Sequence, residues 1–488
     1  MGARTGAEYL ERLNAMTPTL YVDGEKVTAR VAEHPAFRNN ALSFAALYDL
    51  QHEHPAELTY PSPTTGDPVG ISFLVPRTED DLRRRREGAA VWARYSNGFL
   101  GRTGDYMNAA LTALSTAAEF FGRADPVFAE RIAAYYEYAR ENDLLATHTL
   151  IPPQVNRAVS GSAQAGAQVA ARVVEERPDG IVIRGARMLA TVAPIADELL
   201  VFPSTLLRGT AEDAPFSYAF AIQNDAPGLK YYCRSPLYRG GSAFDEPLAS
   251  RYDEMDALVV FDDVFVPNER VFLLGHPELC NAFYSETGAS QLMTHQVVTR
   301  TLAKTEFYLG LAASIADAIG IGGFPHIQQD LAELISYVEI EKALLRAAEA
   351  DGAANAEGVF LPKWDTLNAA RNWYPQQVSP RLAEIIRKFS ASGLMALPGE
   401  ADFETDGRAD LDLYLQSAAL PARDRARLFK LALDASVSGF AGRESLYEYF
   451  FFGDPVRMAG ALVSSYPLDP YRARVDELLN RSPHPRRS

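Results

Sequence analysis

Arg102 and Tyr106, four positions apart, and His148 further along carry side chains that could handle an anion and a proton. An imidazole titrates near about 6.5 and takes up a proton around neutral pH. His148 falls where a helical region gives way to strands, a common place for a ligand cleft. If the helix near Tyr106 reaches back to Arg102, the two side chains share a face. With Arg102 in the preceding loop, both flank a helix N-terminus, which favours an anion. The plain alternatives are a surface arginine, a core tyrosine and a histidine hydrogen-bonded structurally at a junction. Ser204 and Thr205 offer two hydroxyls and their backbone N–H groups, enough to satisfy a carboxylate without a buried cation. Such pairs also occur in ordinary turns.

Motifs of other chemistries are missing. No Gly-x-Gly-x-x-Gly joins a strand to a helix. Gly320-Ile321-Gly322-Gly323 follows a helical stretch and precedes Phe324-Pro325, which reads as a helix stop. There is no Walker sequence, Gly-x-Ser-x-Gly elbow or His-Glu-x-x-His. His52-Glu53-His54 lacks further ligands nearby and reads as a loop, so no metal is expected. Cys233 and Cys280 cannot supply a disulfide framework, a zinc cluster or an iron–sulfur cluster. A net charge of −16 argues against nucleic acid or an anionic membrane as partner. Any anionic cofactor must then be held by local arginines or helix N-termini. No run resembles a signal peptide or a membrane span, so a soluble, cytoplasmic location is expected.

Elements must position these residues. Residues 78–93 open with Glu79, Asp80 and Asp81 and continue with Arg83 to Arg86, a polarity suited to the helix dipole. Asp105 is the expected N-cap of a helix over 106–121. Asp125-Pro126 opens another, with Val127, Phe128, Ile132, Tyr135, Tyr136 and Ala139 on one side. The character changes near Thr147. Residues 168–176 and 180–192, joined by Pro178-Asp179-Gly180, read as a hairpin. Further strands are expected at 198–202, 218–222, 229–233 and 257–266. Helical periodicity resumes over 291–319, 327–350, 380–392 and 421–436, and the Pro-rich tail from Asn480 is expected to fray. The expected organisation is an N-terminal helical domain over 1–146, a central β domain over 147–269 and a C-terminal bundle with tail over 270–488. This is an α+β chain, mainly α.

Several segments, in order and at similar spacing, resemble the oxygenase components of the 4-hydroxyphenylacetate 3-monooxygenase family. They include Arg4-Thr5-Gly6-Ala7-Glu8-Tyr9-Leu10, Leu47-Tyr48-Asp49-Leu50-Gln51-His52 and Gly101-Arg102-Thr103-Gly104-Asp105-Tyr106-Met107-Asn108-Ala109. Thr147-His148, Pro153-Gln154-Val155-Asn156-Arg157, Gly185-Ala186-Arg187-Met188 and Phe202-Pro203-Ser204-Thr205-Leu206 follow. Asp256-Ala257-Leu258-Val259-Val260-Phe261-Asp262-Asp263 and Phe450-Phe451-Phe452-Gly453-Asp454-Pro455-Val456-Arg457-Met458 complete the set. The resemblance implies an acyl-CoA-dehydrogenase-like fold with a central β-barrel, assembled as a homotetramer or homodimer. It implies FAD between the β domain and the bundles, delivered already reduced by a separate NAD(P)H:flavin reductase, which accounts for the missing nicotinamide fingerprint. Reduced FAD and O2 would form a flavin 4a-hydroperoxide that ortho-hydroxylates a phenol to a catechol.

The resemblance also implies roles. His148, Arg102 and Tyr106 would manage the phenol, and Ser204 with Thr205 would hold the carboxylate of an arylacetate. Flavin contacts would come from His148, Gln154, Val155, Asn156, Arg157, Thr191, Ser438, Gly439, Phe440 and Ala441. A phenol, with a pKa of about 10, can share its proton with an imidazole near neutral pH. Three positions depart from the family pattern: Gly104 replaces a common proline, Asn268 a common tryptophan, and Gly439-Phe440-Ala441-Gly442 an adjacent Gly-Phe-Gly. Within the family, a halophenol monooxygenase or a hydroxylase of tyrosine-derived natural products is an alternative. More distant are an acyl-CoA dehydrogenase-like flavoenzyme and a non-catalytic scaffold. A dehydratase of this fold would need cysteine ligands that the chain lacks.

Overall fold

The computed structural model describes residues 2–156, 158, 164, 167–203 and 207–481. Helices frame both ends of the chain. Glu79–Tyr95 is capped reciprocally: the Thr78 hydroxyl accepts from Asp81 N, and the Asp81 carboxylate accepts from Thr78 N. Asp125 caps Pro126–Glu141 as expected, accepting from Val127 N. The helix expected over 106–121 is instead two, Gly104–Ser115 and Ala118–Gly122, and Thr103 rather than Asp105 is its N-cap. Asp105 lies buried within the first turn, accepting from Thr103 Oγ1 (2.6 Å) and Gln296 Nε2 (3.0 Å). The break has a local cause. Thr112, Ser115 and Thr116 turn their hydroxyls back onto main-chain carbonyls, an alternative to continued helix.

Most of the described strands form two open sheets, which corrects the expected barrel. The larger runs Glu25–Lys26, Thr19–Val22, Leu229–Cys233, Asp256–Pro267, Gly180–Thr191, Arg172–Arg177. The smaller runs Val271–Leu274, Tyr218–Gln223, Glu198–Val201, Ala146–Thr149. Among the described residues no ladder joins the two sheets; they touch through side chains, with Phe220 edge-on to Phe261. The outer edges of the larger sheet are guarded by a two-residue exposed strand and a charged one, so closure is not needed to block pairing with another chain. The hairpin expected around Pro178-Asp179-Gly180 is present, with Arg177 opposite Gly180.

The bundle contains Ala289–Ala318, Pro325–Ala350, Ser379–Ser390, Ala422–Ser436 and Gly439–Phe450. Ala289–Ala318 is buried along most of its length and packs against Glu79–Tyr95, Gly104–Ser115 and Pro325–Ala350. Gly320, in the left-handed region, stops it as the glycine-rich segment suggested. One hydrophobic cluster runs from Tyr9 through Leu199 and Phe261 to Phe440, tying all regions of the chain into one core. His52 shares a hydrogen bond with the Arg4 carbonyl (3.1 Å). No helix among the described residues is long and apolar enough to cross a membrane.

Candidate active site

His148 lies on Ala146–Thr149, the strand at one edge of the smaller sheet, paired in parallel with Glu198–Val201. Its neighbours fix it. Thr147 Oγ1 donates to the Thr191 carbonyl (2.5 Å) and Thr149 Oγ1 to the Leu189 carbonyl (2.9 Å). Because side chains alternate along a strand, these two threonines share one face and turn His148 to the other.

Arg102 sits in the loop before Gly104–Ser115, and Tyr106 lies in that helix's first turn. The Tyr106 and His148 rings are 5.7 Å apart between centroids. The Arg102 guanidinium lies 4.6 Å from the Tyr106 ring centre, 4.1 Å from that of Phe451 and 5.4 Å from that of Tyr447. Phe451 meets Tyr106 edge-on at 5.3 Å. The three residues singled out for proton and anion chemistry therefore converge on one buried, aromatic-walled spot.

Arg102 Nη1, His148 Nδ1 and the Tyr447 hydroxyl are buried there with no hydrogen-bond partner among the described residues. Each such group costs about 1–3 kcal/mol unless something pairs with it, so their grouping marks a place prepared for a polar ligand. Burial, reinforced by the Arg102 charge, pushes the His148 pKa well below 6.5. His148 is thus neutral at pH 7 and free to accept a proton.

The remaining candidates fall around this spot in different ways. Thr191 ends Gly180–Thr191 and is buried, donating to Asp256 Oδ1 (2.7 Å). Ser438 caps Gly439–Phe450, accepting from Ala441 N (3.1 Å) and donating to Asp434 Oδ1 (2.8 Å). Gly439 is exposed, Ala441 is buried, and the Phe440 ring packs in the core 5.9 Å from Phe99. Gln154, Val155 and Asn156 form an exposed stretch beside the sheet, reached through the Met188 N to Ile151 O hydrogen bond (2.7 Å). Arg157, Ser204 and Thr205 lie outside the described residues.

Tyr447, Phe451, Glu254 and Arg443 were not assigned roles from sequence. Glu254, fully buried, accepts from Arg102 N (2.8 Å). Arg443 and Tyr447 are four apart on one helix, spacing that places them on one face, but nothing in the sequence says which face meets Arg102.

Comparison with known proteins covers nearly the whole chain. Residues 5–273 match the 4-hydroxyphenylacetate 3-hydroxylase N-terminal family and residues 280–480 its C-terminal counterpart. The 4-hydroxyphenylacetate 3-monooxygenase oxygenase component of Geobacillus sp. (strain PA-9) is 48% identical over 480 residues, 98% of this chain and 97% of that protein. A solved oxygenase component of 4-hydroxyphenylacetate 3-monooxygenase, complexed with FAD and 4-hydroxyphenylacetate, is 47% identical, covers 98% of both chains and gives a TM-score of 0.93. An archaeal 4-hydroxybutyryl-CoA dehydratase from N. maritimus shares the fold alone, at 20% identity and a TM-score of 0.86 over 100% of this chain and 97% of that one.

Proposed function

We propose, on the premise that the chain belongs to the 4-hydroxyphenylacetate 3-hydroxylase family, that it is the oxygenase component of a two-component monooxygenase. It uses reduced FAD and O2 to hydroxylate 4-hydroxyphenylacetate or a related phenol beside the hydroxyl. The observation that carries this reading is the convergence of Arg102, Tyr106 and His148 with the unpaired Arg102 Nη1, His148 Nδ1 and Tyr447 hydroxyl. A phenol oxygen placed among them meets a fixed cation and a neutral base.

The division of labour follows from their chemistry. The Arg102 guanidinium is held against aromatic rings, and its positive charge favours the phenolate over the phenol. His148 takes or shares the released proton. Loss of that proton makes the ring carbon next to the oxygen electron-rich, the state needed to meet an electrophilic oxygen. Tyr106 and Phe451 are buried and present rings against which a substrate ring can stack or lie edge-on. Their burial also keeps water from the reacting atoms. Ser204 and Thr205 are assigned to the substrate carboxylate on resemblance.

The residues present suit a flavin. Val155 is 63% exposed between the exposed amides of Gln154 and Asn156, and Met188, whose N–H donates to the Ile151 carbonyl, is exposed on the neighbouring strand. Exposed apolar side chains next to amides suit a tricyclic ring with a hydrogen-bonding edge. Gln154, Val155, Asn156, Arg157, Thr191, His148 and the Ser438, Gly439, Phe440, Ala441 turn would hold it. When bound, reduced FAD supplies the two electrons with which one atom of O2 enters the ring and the other leaves as water. A separate flavin reductase supplies the reduced FAD, with NAD(P)H as the proposed electron source. A homotetramer or homodimer is supported by Val456, Val463, Leu478 and Leu479, apolar side chains left exposed on the last two helices, Pro455–Ser465 and Asp469–Asn480. A cytoplasmic location belongs to the same proposal.

The pH dependence has a definite sign. Because the folded-state pKa of His148 lies below 6.5, the base remains neutral where an exposed histidine would already be charged. The kcat/KM for hydroxylation should stay level as pH falls through 6.5 and decline only well below it; a limb centred above 6.5 would assign the base elsewhere. The test of the function supplies chemically reduced FAD in air with a panel of phenols. Mass spectrometry should show one added oxygen atom on 4-hydroxyphenylacetate or a close analogue. Strongly yellow purified protein that is bleached by an acyl-CoA would favour the dehydrogenase alternative.

A further inference from the structure

We infer that Arg443 is a positioning residue that, from the Gly439–Phe450 helix, holds Arg102 and His148 at their working separation. The inference rests on the proposed function and deepens it.

Two hydrogen-bonded routes leave the Arg443 guanidinium. Along the first, Nη1 donates to Glu254 Oε2 (3.2 Å), and Glu254 Oε1 accepts from the main-chain N–H of Arg102 (2.8 Å). Along the second, Nε and Nη2 donate to Asp256 Oδ2 (3.0 Å) and Oδ1 (2.9 Å). Asp256 Oδ1 also accepts from Thr191 Oγ1 (2.7 Å), and the Thr191 carbonyl accepts from Thr147 Oγ1 (2.5 Å), next to His148. One planar cation thus joins the loop that carries Arg102 to the strand that carries His148, two segments that belong to different parts of the fold.

A third contact tightens the arrangement. The guanidinium lies 4.4 Å from the centre of the Tyr447 ring, one turn along its helix. Tyr447 in turn presses against Gly101, where a Cβ would come within 2.2 Å of the phenol oxygen. No residue larger than glycine fits there unless Tyr447 moves. The Arg102 loop is therefore pinned from its backbone by Glu254 and from its flank by Tyr447, and Arg443 touches both.

The geometry requires arginine. Nε, Nη1 and Nη2 are spent on three carboxylates, Glu254, Asp256 and Glu444, in a fixed plane. A lysine ammonium keeps the charge but cannot span them as a fork. Arg234 also donates to Asp256 Oδ2 (3.0 Å) and to the Glu254 carbonyl (2.6 Å), but of the two arginines it is Arg443 whose guanidinium reaches the Glu254 side chain that holds Arg102 N. The placement of Glu254 and Asp256 is explained by holding the two segments in register.

The experiment compares wild type with Arg443→Lys and Glu254→Gln, each loaded with reduced FAD and mixed with air and saturating 4-hydroxyphenylacetate. The readout is the ratio of hydroxylated product to hydrogen peroxide, with kcat and KM measured alongside. With folded protein kept in excess over reduced FAD, so that no flavin is left free to form peroxide in air, that ratio reports coupling in the folded enzyme. A displacement of about 1 Å in a reacting group costs on the order of 10²-fold, so Arg443→Lys should lower the ratio about tenfold to a hundredfold, through kcat more than KM. Glu254→Gln should lower it less, because it cuts only the Arg102 route. A variant with lower thermal stability but an unchanged ratio overturns the inference. If Arg443→Lys does not fold, Glu254→Gln decides: an unchanged ratio there overturns it as well. Wild-type protein that binds reduced FAD yet forms no hydroxylated phenol would overturn the parent reading, and this role with it.

Discussion

His148→Ala should still take up reduced FAD, but should pass its electrons mainly to hydrogen peroxide, with hydroxylation of the phenol lowered by about 10²–10⁴-fold. The reason lies in what the other groups can do. Arg102 and Tyr106 still enclose the phenol, and the Arg102 charge still favours the phenolate, yet no neutral base remains to receive the proton. The ring then stays electron-poor and oxygen is lost as peroxide before it can be transferred. His148→Asn should behave similarly, since an amide can hydrogen-bond the phenol but cannot take its proton. Rapid quench with separate assays for catechol and peroxide distinguishes the outcomes. Near-normal coupled hydroxylation by either variant would remove His148 from the role assigned to it.

Glu448→Ala should lower the stability of the protein by about 3–5 kcal/mol, the usual cost of leaving a buried charge without its partner. Glu448 is buried, and its two oxygens take Arg300 Nη1 (2.6 Å) and Nη2 (2.8 Å), one of them also taking Lys304 Nζ (2.7 Å). Lys304 keeps Glu444 (2.6 Å), but Arg300, wholly buried, keeps only the Gly98 carbonyl among the described residues. Burial alone would raise the Glu448 pKa, but Arg300 and Lys304 override it and hold the carboxyl at about 2. The folded-state pKa is therefore depressed. The contribution is fully present above the ordinary carboxylate value of about 4 and is lost as pH falls through about 2. Urea denaturation should show a large gap between wild type and variant at pH 7, narrowing in strong acid. An unchanged midpoint at pH 7 would mean that Arg300 finds another partner.

Much of the fold could be read from residue pattern, and the exceptions have physical causes. Leu229–Cys233 and Asp256–Pro267 stand out in sequence because their Val, Leu and aromatic runs are bounded by turn residues. Ala146–Thr149 and Val271–Leu274 were not resolved as strands. Each has four residues and is buried at nearly every one, so neither shows the two-residue alternation that marks a half-exposed strand. Asp105 is a good capping residue by type, yet Thr103 caps the helix after Arg102. Gln296, more than a hundred positions away, supplies Asp105 with a partner and draws it inward instead. The sheets were expected as a barrel by resemblance; how two sets of strands share their edges is a tertiary property that local pattern does not encode.

The site divides in the same way. His148, Arg102 and Tyr106 were singled out by type, spacing and resemblance, and the structure brings them together. The importance of Tyr447 and Arg443 depends on where one helix docks, which the sequence does not encode locally. Position along that helix tells which residues share a face, not that this face meets a loop carrying Arg102. Glu254 was invisible for the same reason. It looks like an ordinary acid before a strand, and its role exists only through the Arg102 main-chain N–H and the Arg443 guanidinium that it joins.

The most direct measurement mixes the protein, loaded with reduced FAD, with 4-hydroxyphenylacetate under oxygen enriched in the heavy isotope, and follows the product by mass spectrometry. A monooxygenase places one labelled atom in the catechol formed, and that label should be absent when the enriched oxygen is replaced by labelled water. Product carrying oxygen from water, or unchanged phenol with reduced FAD fully oxidised to peroxide across the whole panel of phenols, would contradict the assignment.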